Sequence, residues 1–180
     1  ILQAVKVVGL KGVRNLLLSY GTQKILGEKY SEMKSLWDHS YRTAYYGFLL
    51  ARSVKRLPEI LDDVYVAGIL HDLGQIIVTY LHPDAMERMA LFCKEKDIGA
   101  SMLEDISVGL NHAEVGALIA TKWNFPKELV QAIRFHHRPL ECDPELHDVV
   151  NCVYLANAIC DLQRDRITYE QLEEAVLQDF

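Results

Sequence analysis

The chain is short of several things that would announce a function. Its 180 residues include only four cysteines, Cys93, Cys142, Cys152 and Cys160, and no CxxC pair. That excludes a local zinc knuckle and a disulfide framework. Cys152 and Cys160 stand two helical turns apart on a helix, too far to bridge. Reduced thiols of a cytoplasm are the expectation. Basic charge is lacking too, since 25 acidic residues against 19 basic ones leave a net charge of -6. A nucleic-acid surface wants the opposite balance, so no nucleic-acid partner is expected. No apolar run is long enough to cross a membrane; the nearest, "VNCVYLANAIC", is interrupted by Asn151 and Asn157. No signal-peptide pattern is present, and no membrane partner is expected.

No segment alternates like a strand, whereas helical spacing and helix punctuation recur throughout. Half the residues are hydrophobic, enough at this length for one buried core, and a single domain over residues 1–180 is expected. The chain opens at Ile1 inside an apolar pattern and stops within another, "TYEQLEEAVLQDF", which suggests a piece of a longer protein. Gly9 and Gly12 separate a first helix from a second over 13–26. A long helix is expected from Ser31 to Arg56, ended by Pro58; Met33, Leu36, Trp37, Ala44, Phe48 and Ala51 form its apolar arc. The next runs from Glu59 into His71 and Asp72, with Gly74 bending the chain. Pro83, Pro126 and Pro144 open further helices. Ser101 with Glu104, and Asn111 with Glu114, have the spacing of capping boxes. The fold class is all-α.

Against this background "GILHDLGQ", residues 68–75, is an anomaly. A His-Asp pair at the edge of a core is costly unless each side chain finds a partner. Other histidines fall where helices end. His112 follows the N-cap residue Asn111, and His136 with His137 close a helix before Pro139. His39 lies at the border of the long helix's apolar arc. Imidazole and carboxylate are ligands for zinc, iron, manganese or nickel. Two such ions could share Asp72 through its two oxygens. Each residue also has an ordinary explanation: a lone histidine is more often a core or capping residue. The pair His136-His137 suits a helix C-terminus without any metal, and His82 and His147 read as surface.

The order His39, His71-Asp72, His112, His136-His137 resembles the HD superfamily of metal-dependent phosphohydrolases. Three stretches are more specifically similar to its HDOD branch, the HD-related output domain: "LWDHSYRTA", "AGILHDLGQ" and "NHAEVGALIATKWNFPKELVQAIRFHHRP". The resemblance implies an HD-type helical bundle, with a further helical part upstream that is absent here. It also implies a bacterial signal-transduction module whose partner is another signalling protein or domain. The implied metal ligands are His39, His71, Asp72, His112, His136, His137 and, at the late position, Asn157, holding one or two divalent ions of iron, manganese, zinc or nickel.

Three positions and one segment depart from active relatives. Asn157 offers a neutral amide where a carboxylate would stand, or is simply a buried amide. Gln75 replaces a lysine of the cyclic-dinucleotide phosphodiesterases called HD-GYP, and "RPLECDP" replaces their GYP segment. Ser35 stands where some relatives have glutamate. Each change removes charge that a phosphodiester would meet, so no catalytic residue is assigned and the non-enzymatic reading leads. The alternative is a metal-dependent phosphohydrolase, with Arg14, Arg42, Arg134 and Arg138 as its cations.

Overall fold

The computed structural model describes residues 20–22, 24, 31–54, 58–81, 111–178 and 180. Seven helices in this part carry the architecture: α1 (Ser31–Ser53), α2 (Leu61–Leu70), α3 (Leu73–Leu81), α4 (His112–Lys122), α5 (Lys127–Phe135), α6 (His147–Leu162) and α7 (Glu174–Leu177). Short 3-10 turns at Pro58–Ile60, Pro139–Glu141, Pro144–Leu146 and Tyr169–Gln171 join them, and no strand occurs among the described residues. The all-α expectation is met. The helix expected after Pro83, the Ser101–Glu104 box, His82 and Arg14 lie outside the described residues, as does most of the helix expected over 13–26.

Helix α1 packs against α2 and α6, α3 packs against α4, and α4 packs against α5. The apolar arc read from α1 does face inward: Trp37, Ala44 and Ala51 are buried there. Leu70, Leu73, Ile76, Leu129, Ile133, Val150 and Val153 fill the centre. Two starts follow the expected punctuation. Asn111 Oδ1 accepts the amide N–H of Glu114 at 3.1 Å, capping α4. Pro126 precedes α5. Pro144 differs, opening a single 3-10 turn before α6 begins at His147.

The decisive feature is a break. Helix α2 ends at Leu70, His71 and Asp72 form a turn, and α3 restarts at Leu73. The Asp72 carbonyl accepts the first bond of α3, from Ile76 N at 3.0 Å. Two glycines allow the neighbours to close on this break. A Cβ on Gly68 would lie 2.5 Å from Ala44 Cα, so α2 crosses α1 at backbone contact. A Cβ on Gly74 would meet the His112 carbonyl oxygen at 1.9 Å, so the start of α3 lies directly on the start of α4. Gly74→Ala must therefore push the two helices apart. It is expected to cost at least about 1–3 kcal/mol, as overpacked cores do. A urea denaturation midpoint equal to that of the parent would contradict this contact.

Candidate metal centre

Five imidazoles and one carboxylate converge at the break. Asp72 Oδ2 lies 3.2 Å from His71 Nε2 and 3.6 Å from His39 Nε2. Its other oxygen, Oδ1, lies 3.5 Å from both His112 Nε2 and His136 Nε2. His112 Nε2 is in turn 3.2 Å from His136 Nε2 and 3.2 Å from His137 Nε2. Asp72 thus stands between two sets of ligand-type atoms, His39 with His71 and His112 with His136 and His137. His71 and His136 are fully buried, and Asp72, His39 and His112 nearly so.

The chain fixes which nitrogens point inward. His71 Nδ1 donates to the Gly68 carbonyl at 2.8 Å, and His136 Nδ1 donates to the Ile133 carbonyl at 2.8 Å. A carbonyl can only accept, so each proton sits on Nδ1 and leaves the Nε2 lone pair facing the cluster. This is the outer-shell device that orients metal-ligating histidines. Both donors come from a position three residues past the carbonyl at a helix C-terminus, where carbonyls are left over. His136 and His137 accordingly lie just beyond α5, in the turn that follows Phe135, and not within its last helical turn. His39 differs from these two, because its buried Nδ1 has no hydrogen-bond partner among the described residues.

Burial shapes the charge states. It pulls His136 down to about 4 and, with His71 adding to it, His39 down to about 4. Burial and the neighbouring His136 hold His137 well below the ordinary imidazole value. For His71 burial acts downward, yet the Asp72 charge and the bond to Gly68 win and its value rises. Asp72 is likewise opposed by burial but held well below the usual carboxylate range by His71, His136 and His112.

Of the seven residues singled out by sequence, the structure brings six together. Asn157 is buried on α6, and no hydrogen bond ties its amide to the cluster among the described residues. Of the cations, Arg134 and Arg138 both pair with Glu114, at 3.2 and 3.5 Å. Arg42 bonds to Gln163. His147 is half-buried, with an enclosed Nε2, so it is not the surface residue its acidic neighbourhood suggested. Spacing gave no notice of Asp161, whose carboxyl feels the charges of Asp72 and His71, or of Arg164 and Arg166, whose charges act on His39. Asp161 lies four residues past Asn157, and a helical-face count from that position would have found it.

A family model described as "HDOD domain" matches residues 1–139. The chain belongs to the HDOD family. The match includes all six converging residues of this HDOD chain and stops before α6 and Asn157. An uncharacterized protein of Treponema pallidum (strain Nichols) is 33% identical over 178 residues, 99% of this chain and 34% of that relative. The chain thus spans about a third of the curated relative's length. An HDOD domain protein of unknown function from Geobacter sulfurreducens has a similar structure, with a TM-score of 0.67 and 27% identity over 72% of this chain and 43% of its own. A structure from Marinobacter aquaeolei VT8, provisionally named a signal transduction protein, reaches a TM-score of 0.75 at 21% identity. It covers 96% of this chain and 39% of its own, and supports the fold alone. No described helix is long and apolar enough to cross a membrane.

Proposed function

We propose that this HDOD domain is a bacterial signal-transduction module, cytoplasmic and non-enzymatic, that engages another signalling protein or domain and is built around a metal centre. One observation carries the metal reading. His136 is kept neutral by burial, and its bare Nε2 faces both Asp72 Oδ1 at 3.5 Å and His112 Nε2 at 3.2 Å. His136 Nε2 and Asp72 Oδ1 are both acceptors, and two acceptors repel unless a proton or a cation lies between them; burial disfavours a second proton on His136. A divalent transition ion of the iron, manganese, zinc or nickel class fits this donor set. Asp72, His112, His136 and His137 would hold it, and a second ion would take His39, His71 and the other oxygen of Asp72. The set facing His112 is the stronger one, since His39 lacks an anchor for Nδ1 and Asn157 is neutral.

The residues around the centre argue against turnover. Gln75 brings no charge, and Arg134 and Arg138 are engaged by Glu114. When bound, the ion would supply positive charge and hold four side chains in one geometry. The chain's own residues orient those side chains and exclude water. The second reading, a phosphohydrolase, draws on the same shared carboxylate, because two adjacent ions are what such hydrolysis employs. Metal analysis of the purified protein, followed by assay on cyclic dinucleotides with added manganese or iron, separates them. Bound metal with no turnover is expected. Steady turnover that disappears in Asp72→Ala would establish the hydrolase instead.

A further inference from the structure

The C-terminal end of α6 carries a feature that the metal centre does not use. Helices α1 and α6 run antiparallel in a fixed register. A Cβ on Gly47 would lie 3.6 Å from Ala156 Cβ, and Thr43 Oγ1 lies 3.6 Å from Cys160 Sγ. One helical turn back along α1 from Thr43 stands His39, and Arg164 stands in the turn that follows α6, next to Gln163. Contacts on either side agree with this register: Arg42 bonds to Gln163, and Gln163 Nε2 donates to Tyr46 Oη at 3.0 Å. Beyond α6 the chain curls, with Asp165 at φ 54°, so that the amides of Arg164 and Arg166 both donate to the Asp161 carbonyl, at 3.1 and 3.0 Å. Two guanidinium stems are thereby rooted on one turn beside His39. The charges of Arg164 and Arg166 are felt there, each adding to the depression that burial imposes on His39.

These arginines are not spent as the other pair is. Arg166 reaches the Asp161 carboxylate only at 3.6 Å and remains largely exposed. Arg164 is half-buried and makes no ion pair or side-chain hydrogen bond among the described residues. A guanidinium carries five donors in a planar fork, and a partly enclosed one without an acceptor is an unanswered half of a contact. Its shape matches the two oxygens of a phosphate or carboxylate.

We propose that Arg164, flanked by Arg42 and Arg166, receives the oxyanion group of a small ligand that docks beside His39 at the edge of the metal centre. In a signalling module such a ligand is the input, read next to the buried cluster. The site rests on the metal-centre reading for its setting only, because the arginine fork exists without any ion.

The test uses the purified chain, stripped of metal and metal-loaded, titrated with inorganic phosphate and separately with acetate while NMR shifts are followed. Saturable binding of one or both anions is expected, weakened at least tenfold by Arg164→Gln and less by Arg164→Lys. Arg52→Gln, in the last turn of α1, should leave it unchanged. Tighter phosphate binding marks a phosphorylated ligand, and tighter acetate binding a carboxylate one. The parent and Arg164→Gln are first compared by circular dichroism and melting midpoint to show that both fold. Equal binding by the two, or no saturation by either anion, overturns the proposal. A protein that takes up no metal yet keeps the Arg164 effect defeats the metal reading alone, whereas metal uptake with a silent Arg164→Gln defeats only this one.

Discussion

Excess divalent metal added to stripped protein is expected to raise the melting midpoint by roughly 5–10 °C, and Asp72→Ala to abolish that increment. The size follows from linkage. A ligand that binds only the folded state, at a hundred times its dissociation constant, stabilises by about 2.7 kcal/mol. For a domain of this length each kcal/mol moves the midpoint by roughly 2–4 °C. Asp72 is the residue to remove because both sets depend on it: Oδ2 faces His71 and His39, and Oδ1 faces His112 and His136. His112→Ala should reduce the increment strongly, since its Nε2 sits between Asp72, His136 and His137. Asn157→Asp should enlarge it if the late position contributes charge to the cation. The competing view is that Asp72 merely starts α3, whose first amide bond its carbonyl accepts. That bond belongs to the backbone and survives the substitution. On that view Asp72→Ala would change the midpoint equally with and without metal, and the parent would not respond to metal at all.

How much of this was legible beforehand varies by residue, for physical reasons. Helix periodicity and punctuation are local, so α1, the Asn111 cap and the Pro126 start could be read directly, each within a few residues. The convergence of His39, His71, Asp72, His112, His136 and His137 is not local, since four separate segments contribute. Resemblance supplied their order, while no spacing rule could have supplied the distances. The closeness itself rests on Gly68 and Gly74, and a glycine in sequence does not say which backbone will press against it. The inward direction of the imidazoles was hidden for a similar reason. It depends on the Gly68 and Ile133 carbonyls left unpaired where α2 and α5 end, and on the helices ending there rather than a turn later. Arg164 was overlooked because it lies in the turn past the end of α6, where helical periodicity gives no facing relation.

Acid should unfold the stripped protein early, with most of the loss between pH 6.5 and about 4. Burial lowers His39 and His136 from 6.5 to about 4, and His137 well below the ordinary value. In the unfolded chain each takes a proton near pH 6.5, while in the folded chain each resists until about pH 4 or lower. The unfolded state therefore binds more protons across this window, and stability falls as pH falls. Each of His39 and His136 could contribute up to roughly 3 kcal/mol, reached only once the pH is below the folded value. The sum is smaller than three such losses, because each proton entering the cluster repels the next. His71 has the opposite sign. Burial is outweighed there by Asp72, its value is raised, and its contribution is present below 6.5 and lost as pH rises through the folded value. It offsets part of the acid loss but cannot cancel three histidines. Asp72, depressed by His71, His136 and His112 against its burial, adds a further loss only below its unfolded value of 3.8. Urea denaturation at pH 7, 6, 5 and 4.5 measures the profile. His136→Gln, which cannot titrate, should flatten part of the slope. A profile level from pH 7 to 4.5 would mean that these imidazoles are not held neutral in the fold. The acceptor conflict on which the metal centre rests would then be relieved by protons instead.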